Sequence, residues 1–167
     1  MASSLGSAIS FGAMTDRSEE LAKISLFAGL KPAALEIISR VTTEESHSKG
    51  DKLFGHGDPG DKLYLLLEGK VRVSRSVAGL GEEALAILSA GQSFGEMALL
   101  DDAPRSADAW VQERCKLLVV SKEHFDDLLF LNKELAYEVL WSVVAMLLGR
   151  LRETNDKLTF LSMTAKF

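Results

Sequence analysis

The sequence predicts a mainly β domain, a small barrel or sandwich, with short helices before it and one long helix behind. Three observations carry that reading. Between Val41 and Val120 the short apolar runs KLYLLLEG, KVRVSRSV, ALAILSAG and KLLVVS are punctuated by glycines at 50, 55, 57, 60, 69, 79, 81, 91 and 95, the rhythm of a compact all-β unit. Ahead of them stand two helix-start signals. Behind them, from Ser121 onward, the apolar residues change to helical spacing. A chain of 167 residues with 47% hydrophobic content supplies one core-bearing domain.

Taken in order, residues 1–15, MASSLGSAISFGAMT, hold no lysine or arginine before a weak apolar patch, so they lack the charged start of a secretory signal and read as a loose tail. Asp16 with Glu19 three residues on opens a helix before LAKISLF, and Pro32 suits the first turn of a second helix running to about Ser39. In the β region Val71 and Val73 alternate with Lys70, Arg72 and Ser74. Cys115, Leu117 and Val119 alternate less cleanly, as strands covered on both faces do. Ser121 is placed to cap a helix over KEHFDDLLFL, and Asn132 a second one that stays periodic to about Leu158. At 1.5 Å per residue that last helix is about 40 Å long, too long for its barrel. The expected organisation is a tail over 1–15, a barrel domain with its helices over 16–131, and a C-terminal helix and tail over 132–167.

The length of that helix has an explanation in its apolar positions. Leu140, Val144, Leu147, Leu151, Thr154, Leu158 and Leu161 alternate in steps of four and three, the seam of a coiled coil. Ala136, Val139, Val143 and Met146 form a second stripe, able to pack on the chain's own barrel while the seam meets another helix. A parallel homodimer through residues 140–161 is expected; burial of both stripes within one monomer is the alternative.

Composition excludes several classes. A net charge of −5 lacks the broad positive field that holds nucleic acid, so any anion site has to be local. Cys115 is the sole cysteine, which rules out an intramolecular disulfide and suits a buried position in a cytoplasmic protein. WSVVAMLLG, 141–149, is about half the length of a membrane span and is flanked by Glu138 and Arg150. His47, His56 and His124 fall in a polar strand run, a glycine-bracketed turn and a helix start, without the grouping a metal or a catalytic site needs. Neither enzyme activity nor a cofactor is expected.

The stretch SFGEMALLDDAPRSADAW, 93–110, carries the chemistry. Gly95 allows close approach to the backbone, and EMALLD has the composition of one or two helical turns whose free N–H groups favour an anion. The DAP turn brings back Arg105, whose guanidinium can close on the same anion through paired hydrogen bonds. Glu96 can accept from a sugar hydroxyl beside a phosphate. Phosphate and ribose together point to a nucleotide, although Arg105 could instead pair with Asp101, Asp102 or Asp108.

The wider pattern bears on that choice. GDKLYLLLEGKVRV (60–73), LSAGQSFGEMALLDDAPRSADAW (88–110) and RLRETNDKL (150–158) resemble, in order, the cyclic nucleotide-binding domain family, over about residues 20 to 158. FGEMALLDDAPRSA matches the family's phosphate-binding cassette throughout. The resemblance implies a small jelly-roll-type β-barrel with a long C-terminal dimerisation helix. It places the cyclic phosphate against Arg105, Ser106 and backbone near Ala98 and Ala107, in a cassette that includes Met97. Glu96 would take the ribose 2′-hydroxyl and Gly95 would let the ribose sit close. Val73, Leu85 and Phe94 would wall the base, and the long helix would cover it. In the catabolite activator branch that helix carries small polar residues to adenine, here Thr154 and Asn155; a register-setting role for Thr154 in the seam stands beside that one. The branch's DNA-binding helix-turn-helix domain would follow this helix, and the sequence given stops nine residues after Leu158, so no DNA reader is expected. The function implied is a cyclic AMP sensor, cyclic GMP being the second choice on account of Ser106, that relays binding to a partner protein. A domain that has lost its ligand and serves as a dimeric scaffold is the competing reading.

Overall fold

The structure, a computed structural model, describes residues 17–79 and 81–164. Two helices open it, α1 (Ser18–Leu21) and α2 (Pro32–Ser39). Six strands follow: β1 (Thr42–His47), β2 (Lys52–Phe54), β3 (Lys62–Val77), β4 (Gly81–Ser89), β5 (Ser93–Phe94) and β6 (Asp108–Ser121). A short helix α3 (Met97–Leu100) separates β5 from β6, and α4 (Lys122–Leu131) and α5 (Lys133–Thr164) close the chain. The strands form one antiparallel sheet in the order β1-β6-β3-β4, with β2 paired to β6 and β5 to β3. This is the expected mainly β fold with flanking helices.

Several local expectations need correction. The first helix stops at Leu21, the first residue of LAKISLF, and its predicted capping residue Asp16 lies outside the described residues. From there the chain makes successive i→i−3 turns, Ile24 N to Leu21 O, Phe27 N to Ile24 O and Leu30 N to Phe27 O. Those turns bury Leu21, Ile24, Leu26, Phe27 and Leu30 together, which one straight helix face cannot do for the adjacent Leu26 and Phe27. Gly69 does not divide two strands. It sits inside the 16-residue β3 at φ +87°, where an added Cβ would lie 2.2 Å from the Arg114 carbonyl oxygen. The pairing with β6 shifts register around it, which bends the strand rather than ending it. The alternation Val71, Val73 also breaks: a second shift between Val73 and Ser74 turns Ser74 inward, fully buried, with its hydroxyl on the Glu82 carboxylate.

Ser121 caps α4 as expected, its hydroxyl accepting from His124 N at 3.2 Å. The Asn132 side chain instead turns back, donating to the Leu128 carbonyl at 3.1 Å and closing the end of α4. α5 runs 32 residues, past Leu158 to Thr164. Among the described residues no helix is long and apolar enough to cross a membrane.

β3 and β6 form a wall between two cores. Leu63 and Leu65 of β3 with Leu118 and Val120 of β6 face α1, α2, α4 and the start of α5. Tyr64 and Leu66 with Cys115, Leu117 and Val119 face the barrel interior. Burial pushes the Cys115 thiol and the Tyr64 phenol above their ordinary ranges. On α5, Leu135, Val139 and Val143 are buried, with Met146 and Leu147 partly so, whereas every described residue beyond Arg150 is exposed. The second stripe thus packs on the chain's own core, and Leu147, one of the seam positions, joins it. Leu140, Val144, Leu151, Leu158 and Leu161 stay exposed.

Candidate functional site

A cavity of about 530 Å3 opens between β3–β4, the 94–107 segment and one face of α5. That volume suits a small-molecule ligand. It brings together Val73, Leu85, Phe94, Gly95, Glu96, Met97, Arg105, Ser106, Ala107 and Thr154, residues spread over 82 positions of sequence. One predicted residue stands apart, Asn155, exposed on α5 outside the lining; Ala98 is the second residue of α3, and its side chain is not among those described.

Arg105 is 3% exposed. The backbone around it is pinned to the 55–58 turn, with Arg105 N donating to Asp58 O at 2.8 Å and its carbonyl accepting from Gly57 N at 2.9 Å. Its guanidinium stacks 4.3 Å above the Phe54 ring and donates to the carbonyls of Gly95 at 2.9 Å and Lys62 at 2.8 Å. Burial pulls its pKa below the ordinary arginine value, partly offset by Tyr64 and Asp61; an arginine stays charged even so. Gly95 sits at φ +83°, and an added Cβ would lie 2.6 Å from Arg105 Nη1. The glycine is therefore needed first for the arginine.

None of the three aspartates near Arg105 in sequence takes its guanidinium. Asp101 accepts from Ala103 N at 3.0 Å, Asp102 pairs with Lys122 at 2.9 Å and Asp108 with Lys52 at 2.8 Å. Asp102 stands at φ +54°. The carboxylate beside Arg105 is Asp61, at 3.7 Å and largely exposed. Arg105 Nε is buried without a partner.

Glu96, 3% exposed, precedes α3 in helical conformation. One carboxylate oxygen accepts from Arg150 of α5, which also donates to Ser93 O at 2.6 Å; the other is buried and unpartnered. Sequence reasoning missed Arg150. Its one signal is its position four residues before Thr154, hence on the same helix face. The Thr154 hydroxyl donates to the Arg150 carbonyl at 2.9 Å. Glu153 and Lys157 line the same roof, so the charged groups of the cavity are Arg105, Arg150 and Lys157 against Glu96 and Glu153. A local charge of +1 thus arises in a chain of −5. Phe94 stacks on Tyr64 at 5.1 Å between centroids and forms the cavity's aromatic wall with Phe54. Among the described residues no group of three or more His, Cys, Asp or Glu side chains could hold a metal ion.

Arranged this way, the cavity offers a buried cation, a buried carboxylate and apolar strand residues under a helix. Comparison with known proteins agrees with that chemistry. Residues 44–132 match the cyclic nucleotide-binding domain family. The chain is 39% identical over 137 residues to a cyclic AMP receptor protein of Thermus thermophilus, covering 82% of this chain and 62% of that one. It is 27% identical over 146 residues to a CRP-like cAMP-activated global transcriptional regulator of Mycobacterium tuberculosis, covering 87% and 63%. It thus spans less than two thirds of the length of those two regulators. Among solved structures, a cyclic nucleotide-binding domain from Methylobacillus flagellatus superposes with a TM-score of 0.76 at 28% identity, over 86% of this chain and 81% of that one. The Thermus thermophilus catabolite activator protein gives 0.72 at 36%, over 83% and 63%. The chain belongs to the cyclic nucleotide-binding domain family.

Proposed function

We propose that the chain is a cytoplasmic, non-enzymatic sensor of a cyclic mononucleotide, cyclic AMP in preference to cyclic GMP, acting as a homodimer that relays binding through α4 and α5 to a partner protein. The observation that carries the reading is that a buried arginine and a buried carboxylate, Arg105 and Glu96, line one cavity, each with one side-chain atom lacking a partner, Nε of Arg105 and one oxygen of Glu96. A buried polar group without a partner costs free energy, and a phosphate with an adjacent ribose hydroxyl supplies an acceptor to the first and a donor to the second. The cassette residues Gly95, Glu96, Met97, Arg105, Ser106 and Ala107 line that cavity, as the resemblance implies. The cyclic AMP receptor among the relatives supports the choice of adenine.

The relay has a physical route. Arg105 rests on the Lys62 carbonyl, and the neighbouring Asp61 carbonyl accepts from Lys122 N at 2.7 Å, at the start of α4. Arg150 ties α5 to Glu96. A ligand that re-aims Arg105 or Glu96 acts on both helices and shifts their population if its affinity differs between two arrangements. Calorimetric titration with cyclic AMP and cyclic GMP tests the ligand. Arg105→Ala is expected to weaken binding by about 2–4 kcal/mol, roughly 30- to 1,000-fold, with circular dichroism showing a folded chain. Unchanged affinity in that variant would remove Arg105 from the site, and no binding heat in the wild type would favour the scaffold reading.

A further inference from the structure

Gly149 stands in the middle of α5, where glycine is a poor choice. A glycine inside a helix is disfavoured relative to alanine because it gives up more backbone freedom on folding. The usual reasons to keep one are missing. Its φ lies outside the left-handed range, so no backbone conformation demands it, and an added Cβ would meet no atom within 4 Å among the described residues. The other glycines where a Cβ would collide, Gly69 and Gly95, have neighbours at 2.2 and 2.6 Å. Close approach of a second helix does not explain it either. With the seam at 140, 144, 147, 151, 154 and 158, position 149 falls on the far side of α5, two residues from the nearest seam positions, where a coiled-coil partner does not reach.

What Gly149 does face is the cavity. It lies in the lining between Met146 and Glu153, one turn to either side, and next to Arg150, which holds the Glu96 carboxylate. Each of those neighbours carries a side chain of four or more heavy atoms, so the roof has a notch at 149. Resting on the nucleotide reading above, we infer that Gly149 is a specificity-determining residue. Its missing side chain lets the purine of a cyclic nucleotide lie against the backbone of α5, and a side chain there would exclude it by size.

The test is a size series at one position. Gly149→Ala and Gly149→Leu both place good helix formers at an open site, so melting temperature is expected to stay level or rise by about 2–4 °C. Affinity for cyclic AMP, read by calorimetry, is expected to fall by about 5-fold for alanine and at least about 50-fold for leucine. Affinity within 2-fold of wild type in the leucine variant would overturn the inference, and so would an equal loss in both, which would mark a stiffened helix rather than a filled notch. If the leucine variant does not fold, the alanine variant decides alone, unchanged affinity there being the overturning result. A wild-type chain that binds neither cyclic AMP nor cyclic GMP would instead remove the nucleotide reading itself, and this inference with it.

Discussion

Glu96 and Arg150 make the sharpest case at the scale of single residues. A carboxylate that is 3% exposed is held by one arginine from a different element, and removing that partner leaves the charge buried. Arg150→Met keeps the apolar stem and discards the guanidinium. It is expected to lower stability by about 1–3 kcal/mol in denaturant unfolding, with Arg150→Lys recovering part of the loss. In the double variant Glu96→Gln/Arg150→Met the cost should be smaller than the sum of the two singles, because Arg150→Met strands the buried Glu96 carboxylate and a glutamine there carries no charge to strand. Gly95, Glu96 and Arg105 were legible in the sequence because their spacing is local: a glycine, a carboxylate and an arginine brought back by a turn lie within eleven residues. Arg150 was not, since a single arginine on a helix looks like any solvated surface charge until the fold delivers it to Glu96. Nor could spacing show that Asp61, 44 residues before Arg105, would be its neighbour in place of the nearby aspartates.

At the scale of elements, the helices after Ser121 were the most legible part, and the strands the least. Ser121, the periodic run behind it and the two stripes of α5 each follow from local residue choice. A strand's extent depends on what pairs with it, which is why KLYLLLEG and KVRVSRSV read as two elements and fold as one. Gly69 is the hinge of that difference. Gly69→Ala adds a Cβ that collides with the Arg114 carbonyl at 2.2 Å, in a backbone conformation alanine resists. Denaturant unfolding is expected to report a loss of at least about 2–3 kcal/mol. Gly57 makes the contrast, with φ +86° and nothing within 4 Å; there only the backbone term of about 1 kcal/mol applies. Asn132 shows a subtler limit. A polar residue between two helices can serve the end of the first or the start of the second, and sequence does not decide which.

At the scale of the molecule, every described residue of α5 beyond Arg150 is exposed, Leu151, Leu158 and Leu161 among them along the predicted seam. A second copy of α5 would cover them. Leu151→Glu with Leu158→Glu is expected to convert a dimer to a monomer in sedimentation experiments and to leave the barrel's circular dichroism intact. An unchanged mass would send both stripes back to the monomer. The wall of β3 and β6 bears on how such a molecule can respond at all. Leu63 to Leu66 and Leu117 to Val120 are buried on both sides, alternate side chains serving opposite cores. Sliding either strand by one residue would exchange the contents of the two cores at once. The wall is therefore locked in register and serves as the fixed frame of the protein. Any movement has to be made by what hangs on either side of it, the cassette loop on one and the closing helices on the other, with Arg105 and Arg150 as the fasteners between them.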